Sequence, residues 1–287
     1  MMIIRIVTDE EIKNAYNSYT NGLSVEKVSK LFNIPQTSLR RYFKRKGYSI
    51  RSLSEAEKIY SFNESYFDNI DTSDKAYWLG FLYADGYILS KRKHGNQKFG
   101  VTLSVADIEH LEKLKQCLNS NHRIAIYHSK NSYNANCEYC RLLFSSQHAV
   151  DSLKKYGVIE NKTNILKPPN ISNDLSRHFI RGYFDGDGSI WSHLNKKYGA
   201  KIPQYSIEFV GTDCILQYIM DDLLEHKIIK RLYNLNKRKK GQIVSNFKFG
   251  GNLQALNFCQ YIYQDANTYL DRKHDKYIEL TTIHSCL

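Results

Sequence analysis

Two stretches decide the reading: WLGFLYADG at Trp78–Gly86 and IRGYFDGDG at Ile180–Gly188. Gly80, Asp85, Gly86 and Ile88 recur as Gly182, Asp187, Gly188 and Ile190, each displaced by 102 residues. A shared offset over several positions means two copies of one structural unit. Each copy reads as a helix that stops at its acidic end. Thr72 or Ser73, and Ser172 or Asn173, suit the N-caps, and Gly86 and Gly188 suit left-handed C-caps.

Small residues sit four apart inside each phrase, Gly80 with Ala84 and Gly182 with Gly186, which places each pair on one helix face. A helix-interior glycine costs roughly 1 kcal/mol against alanine, so a compensating close contact is expected. Missing side chains let two backbones approach, as in small-xxx-small helix pairs. Packing these two helices together lays their C-terminal ends side by side and brings Asp85 near Asp187. Two carboxylates there repel each other and oppose both helix dipoles. A divalent cation is the simplest remedy, so the pattern predicts a metal site.

At this point the paired phrases resemble the signature of the LAGLIDADG homing endonucleases in their single-chain, two-repeat form. The resemblance runs from about Phe67 to Leu280. It implies an α+β fold of two pseudo-symmetric αββαββα repeats with the motif helices at their interface, and a monomer with internal pseudo-twofold symmetry. It also implies that the penultimate motif acids, here Asp85 and Asp187, bind the catalytic divalent metal. The first copy departs at the sixth motif position, where Tyr83 replaces the acid that the second copy keeps as Asp185.

Bulk properties agree with that reading. The 287-residue chain carries a formal charge of +12, which points to an anionic partner, nucleic acid before others. Its 42% hydrophobic content fits a globular protein with a substantial core. The abundance of tyrosine, 22 residues, is read as an AT-rich coding composition before base stacking. Six cysteines show no framework spacing; Cys137 and Cys140 form a C-x-x-C without a second pair, so ordinary thiols are expected and not zinc. No signal-peptide pattern and no long apolar run occur, so a cytoplasmic protein without membrane association is expected, in a bacterial or phage-infected cell before an organelle.

The expected organisation is a helix-turn-helix domain at 1–50, a linker at 51–66, a first repeat at 67–163, a linker at 164–173 and a second repeat at 174–287. In the first module, Asp9–Tyr19, Ser24–Phe32 and Gln36–Lys46 have helical patterning, broken at Asn21-Gly22 and Asn33-Ile34-Pro35. Residues 23–48 resemble the helix-turn-helix of resolvases and inverters. Val25, Val28, Leu31, Phe32, Ile34, Leu39 and Tyr42 or Phe43 are expected to face its core. Gln36, Thr37 and Ser38 would meet base edges, with Arg40, Arg41, Lys44 and Arg45 toward phosphates. The linker holds one short expected helix, Ser54–Tyr60.

In the first repeat, strands are expected at Tyr87–Ser90, Lys98–Val105, Arg123–His128 and Tyr139–Ser145, with helices from Asp107 to Leu118 and over Gln147–Tyr156. The second repeat has expected strands at Ser189–His193, Gln204–Val210, Arg231–Asn236 and Ile243–Phe249. Its helices are Asp213–His226 and Asn252–Tyr263. Basic residues gather at the strand-joining tips: Lys91, Arg92, Lys93 and Lys98; Lys196, Lys197 and Lys201; Lys237, Arg238, Lys239 and Lys240. Repetition at matching hairpins argues for two sheets laid along double-stranded DNA, the tips gripping phosphates.

Near the end of each half stands a lysine in similar context, Lys162 and Lys273. The resemblance makes them candidates for polarising water or stabilising the pentavalent phosphate. It further implies two or three Mg²⁺ ions, Mn²⁺ able to substitute, with the carbonyls of Ala84 and Gly186 completing an oxygen ligand set. The product implied is a double-strand break with short 3′ overhangs at a long site. Two alternatives on the same fold stay open: an RNA-splicing maturase, and a non-cleaving transcription regulator. Retention of both acids favours the nuclease. Intein self-splicing is not expected, because no reactive Cys or Ser opens the chain and no His-Asn pair closes it.

Overall fold

The computed structural model describes residues 7–51, 60–91, 93, 95–128, 138–194, 202–237 and 243–285. Contacts divide the chain into two units, residues 1–61 and 62–287.

The first unit is three helices: α1 Asp9–Thr20, α2 Val25–Phe32 and α3 Gln36–Arg45. Thr8 and Glu11 form a capping box at α1, and Ser24 caps α2 by accepting from Lys27 N. Asn33, left-handed at φ 50°, ends α2 and starts the turn into α3. Ile12, Ala15, Tyr19, Val25, Val28, Ile34, Leu39 and Phe43 fill the core. Leu31 does not join them; it is 63% exposed, while Val28 of the same helix is fully buried. Phe43, not Tyr42, is the fully buried aromatic of α3. The expected helix at Ser54–Tyr60 falls almost wholly outside the described residues.

The second unit repeats one order twice. The first half runs α4 Ser73–Ala84, β1 Gly86–Ile88, β2 Lys98–Ser104, α5 Ile108–Cys117, β3 Ala125–His128, β4 Glu138–Ser145 and α6 Gln147–Lys155. The second runs α7 Ser176–Asp187, β5 Gly188–His193, β6 Gln204–Gly211, α8 Asp213–Glu225, β7 Asn236–Lys237, β8 Ser245–Gly250 and α9 Asn252–Tyr263. Each half folds its strands into an antiparallel four-stranded sheet, ordered β1-β2-β4-β3 and β5-β6-β8-β7. This is α+β, two αββαββα repeats behind a small all-α module.

Alternation along the strands gives each sheet one apolar face and one open face. Phe99, Val101, Cys140, Leu142 and Phe144 point inward in the first, and Tyr205, Ile207, Phe209, Phe247 and Phe249 in the second. All belong to one continuous core that also contains α4 and α7. Cys140 is therefore a core thiol beside the Leu103 and Ser104 carbonyls, while Cys137 lies outside the described residues.

Several local expectations need correction. Gly188 is extended, at φ −82° and ψ 164°, and Gly86 is not among the positive-φ glycines. Both are glycine for lack of room: a Cβ would sit 2.6 Å from the Leu82 carbonyl at Gly86 and 2.6 Å from that of Phe184 at Gly188. Thr72 caps α4 as expected, but α7 follows a short 3₁₀ turn, Asn173–Leu175, and has no side-chain cap. Of the expected strand Arg231–Asn236, only Asn236 pairs with a neighbour, in the two-residue strand Asn236–Lys237. A last helix, α10 Asp271–Ser285, follows the second repeat.

Candidate metal centre and nucleic-acid interface

The site is built where α4 and α7 cross. A Cβ on Gly80 would stand 2.0 Å from Phe179 O and 2.9 Å from Tyr183 N; one on Gly182 would stand 1.9 Å from Tyr77 O and 2.8 Å from Phe81 N. The two sets of partners are themselves related by the 102-residue offset, so the crossing is a pseudo-twofold contact of backbone on backbone. This is the compensation that the helix-interior glycines required. Toward the acidic ends the helices part by little: a Cβ on Gly186 would lie 2.2 Å from Ala84 Cβ and 3.2 Å from Asp85 Oδ2. One of these positions can carry a methyl group and the other cannot, which explains Ala84 facing Gly186.

Asp85 and Asp187 are thereby brought together. Burial, reinforced by the negative charge of Asp187, pushes the Asp85 carboxyl up to about 6, against the pull of Lys273 and Lys162. Asp187 keeps an exposed edge yet sits among enough protein atoms that burial raises its pKa too, opposed by the same lysines. Among the described residues no group of three or more His, Cys, Asp or Glu gathers as a metal site, so this centre offers two acids with backbone carbonyls beside them. Two crowded carboxylates are hard oxygen donors, and a divalent cation would relieve both their desolvation and their repulsion. The donor set fits such an ion.

Both candidate lysines reach this place. Lys162 is buried and its Nζ donates to the Ala84 carbonyl at 3.0 Å. Lys273, also buried, comes from α10, and its Nζ donates to the carbonyls of Asp185 (2.9 Å), Gly188 (2.6 Å) and Phe184. An ammonium has three N–H groups, so Lys273 has spent all of them on the end of α7. Burial lowers both pKa values, that of Lys273 to about 8, with the nearby acids opposing. Each lysine caps the C-terminal end of its own half's motif helix, where a cation is attracted by the negative end of the helix dipole. A cavity of 160 Å³ beside Lys162 is lined also by Ala84, Tyr183, Asp187, Gly211 and Val244. The Ala84 carbonyl, expected as a metal ligand, is thus shared with Lys162, while Lys273 passes over the Gly186 carbonyl.

The sixth motif position separates the halves. Asp185 is fully buried and accepts from Tyr77 Oη, Tyr263 Oη and Leu270 N, each at 2.8 Å. Burial raises its pKa, with Lys273 and these donors holding it back. Beside it Arg181, buried as well, donates to the carbonyls of Thr268 (2.9 Å) and Ile262 (3.0 Å) and lies over the Tyr77 ring. Tyr83, in the matching place, donates to the Tyr156 carbonyl. Tyr77, Tyr263 and Arg181 were missed in the sequence; an arginine four residues ahead of an aspartate, inside the motif phrase, was the available signal.

On the open faces, the first sheet carries Arg141 over the Tyr127 ring at 4.6 Å, with Tyr127 stacked on Tyr139. The second carries Trp191 with the Lys248 ammonium 5.2 Å from its ring centre. Lys91, Lys93 and Lys237 are exposed and Lys98 half-buried, at strand ends. Arg92, Lys196, Lys197, Lys201, Arg238, Lys239 and Lys240 lie outside the described residues. In the first unit, Gln36, Thr37, Arg40, Arg41, Lys44 and Arg45 form the exposed side of α3, with Ser38 half-buried. No helix among the described residues is long and apolar enough to cross a membrane.

Residues 8–50 match the family described as helix-turn-helix, Psq domain, in agreement with the helix-turn-helix read in the sequence. No curated protein matches the chain. Among solved structures, similar ones include the LAGLIDADG meganuclease I-AabMI bound to uncleaved DNA, at 12% identity and TM-score 0.46, over 73% of this chain and 88% of that one. The LAGLIDADG homing endonuclease I-GzeII in complex with its DNA target is 14% identical with TM-score 0.49, over 72% and 88%. I-LtrWI, a LAGLIDADG homing endonuclease bound to target DNA, is 12% identical with TM-score 0.48, over 78% and 92%. In its paired motif and its twice-repeated αββαββα order, behind a leading helix-turn-helix, this chain resembles the LAGLIDADG homing endonucleases.

Proposed function

We propose that the chain is a site-specific DNA endonuclease that makes a double-strand break with short 3′ overhangs, dependent on Mg²⁺ or Mn²⁺, and that it serves the mobility of an intron or intein element. The observation that carries this reading is the meeting of Asp85 and Asp187 at a glycine-only helix crossing, each with a buried lysine behind its helix end. A crowded pair of acids, both with raised pKa values, is costly to keep without a task. Divalent ions held by these acids would activate a water and neutralise charge on the phosphodiester.

The chain's own residues have separable parts in this scheme. Asp85 and Asp187 hold the ions, with the Gly186 carbonyl the freer of the two backbone candidates. Lys162 keeps donors beyond its bond to Ala84 and is placed to touch water or a phosphate oxygen. Lys273 acts by its charge and by fixing the end of α7, since its three N–H groups are engaged. The open sheet faces and basic strand ends take double-stranded DNA, and α3 of the first unit takes flanking sequence.

The test uses DNA recovered by binding from a random duplex library, incubated with the full chain in Mg²⁺ or in EDTA. Wild type is expected to cut both strands only with Mg²⁺, and Asp85→Asn and Asp187→Asn to bind without cutting. Lys162→Ala should slow cleavage with little loss of stability, whereas Lys273→Ala should lower both. Selected DNA bound tightly by wild type and never cut would reject the nuclease in favour of a regulator.

A further inference from the structure

The two repeats finish one corner of their fold differently. Gly86 pairs with Val101 and Val101 with Leu142; Gly188 pairs with Phe209 and Phe209 with Phe247, so Phe247 is the counterpart of Leu142. Four residues on, Ser146 stands at the N-cap of α6 and Gly251 at that of α9. The C-caps of α5 and α8, Leu118 and His226, are each followed by a left-handed residue, Asn119 (φ 46°) and Lys227 (φ 59°). In the first half a strap of chain joins these two helix ends. Asn63 N donates to the Leu118 carbonyl at 2.8 Å, and Glu64 accepts from the Ser146 hydroxyl at the start of α6. Asp68 accepts from Ser152 Oγ at 2.6 Å and bonds His148 Nε2 at 2.9 Å. The Phe62 ring packs 4.8 Å from that of Phe144.

In the second half the same corner is a cavity of 580 Å³, bordered by Lys227, Lys230, Arg231, Gly251, Leu253 and Asn257. Leu253 and Asn257 stand where the first half has His148 and Ser152. The chain entering the second half passes the other end of α8, where the Leu166 carbonyl accepts from Thr212 Oγ1 at 2.6 Å. Tyr233 takes the part of Phe62, its ring 6.0 Å from that of Phe249. What stays open is the end that the strap's acids fill in the first half. Three exposed cations edge it, and among the described residues no acid pairs with them.

We propose that this cavity docks an extended acidic peptide of a partner protein, with one carboxylate over the first turn of α9 near Lys227, Lys230 and Arg231. The chain's own strap displays the mode, an extended segment whose carboxylate meets the start of the equivalent helix. The first turn of α9 has no side-chain cap, and the positive end of a helix dipole attracts an anion. Leu253, 61% exposed, and Ile228 offer apolar contact to a residue beside the acid. A peptide fits better than nucleic acid because α9 packs by Phe258 on Phe209 and Phe249, the buried face of the sheet. The cavity therefore lies behind the open face.

The test is selection with the full chain from a phage-displayed library of random peptides, each recovered sequence then measured as a labelled free peptide by anisotropy. Recovered peptides should carry an Asp or Glu beside an apolar residue. Lys230→Glu combined with Arg231→Glu changes only exposed side chains and should weaken their binding about tenfold. Urea unfolding and affinity for duplex DNA should stay as in wild type. Recovery of no peptide, of peptides without an acid, or of peptides that bind the double variant equally would overturn the inference. So would a duplex that displaces the peptide and itself loses affinity for the double variant, which would give the cavity to nucleic acid. The nuclease reading stands or falls separately, on metal-dependent cutting.

Discussion

The two halves of the repeated unit carry the same phrase and finish it differently. In the first, the sixth position is Tyr83, tied by one hydroxyl to the Tyr156 carbonyl, and Lys162 makes one bond to the helix end. In the second, Asp185 gathers three donors and Lys273 gives three bonds. Two of the Asp185 partners, Tyr263 and Leu270, flank the approach to α10, and the third, Tyr77, belongs to the first half's helix. The second half has thus become the one that anchors the crossing and the extra helix. The first is left with looser chemistry around its lysine. Pseudo-symmetry of backbone does not require equality of function.

The largest test of that difference is Asp185→Ala against Tyr83→Phe. The first leaves Tyr263 and Leu270 N without their acceptor in a dry interior, and Tyr77 with His110 Nε2 alone, and should cost about 4 kcal/mol in urea unfolding of the full chain. Tyr83→Phe gives up one hydrogen bond and should cost about 1 kcal/mol. Equal costs would show that the halves are anchored alike.

A smaller effect is expected where the helices part. Gly186→Ala sets its methyl 2.2 Å from Ala84 Cβ and should cost about 2 kcal/mol despite the better helix propensity of alanine. Adding Ala84→Gly should restore most of the loss, since the pair needs one methyl group and is indifferent to which helix supplies it. A double variant no better than the single one would place the strain elsewhere.

The smallest effect separates the two acids. The folded-state pKa of Asp85, about 6, stands above its ordinary 3.8, so the folded chain holds this proton more tightly than the unfolded one. Stability in EDTA therefore falls as pH rises from about 4 to about 6. Asp85→Asn should raise Tm at pH 7, and the gain should shrink toward pH 4. Asp187 lies nearer solvent, so Asp187→Asn should gain less. Thermal melts across that pH range, with and without Mg²⁺, decide it; a larger gain at Asp187 would reverse the ranking.

Much of this fold was legible because repetition and alternation are long-range regularities that local context rarely overturns. The 102-residue offset, the glycines four apart from small partners and the two acids all found their places. So did seven of the eight strands expected in the repeated unit, within a few residues. What failed depended on contacts that a sequence does not display. Arg231–Asn236 alternates like a strand, with Tyr233 and Leu235 packed on the core and Leu232 exposed, yet only its last residue finds a ladder partner. Gly86 and Gly188 suited a left-handed turn, but they are glycine because the preceding helical turn presses on them. For α10 the pattern was faint: of its fifteen residues only Lys273 and Leu280 are buried, and one of those is a charged side chain. The lysine was noticed as chemistry while the helix that delivers it was not.

The glycine crossing has a consequence for how such a chain can change. With no side chain between the helices at Gly80 and Gly182, and the single methyl of Ala84 facing Gly186, the separation of the two acids is set chiefly by backbone contact. Substitutions in either core, or on either open sheet face, leave that gauge where it was. Each half is then free to drift toward new surface chemistry at its own pace, like two jaws refaced separately on a hinge pin that does not wear.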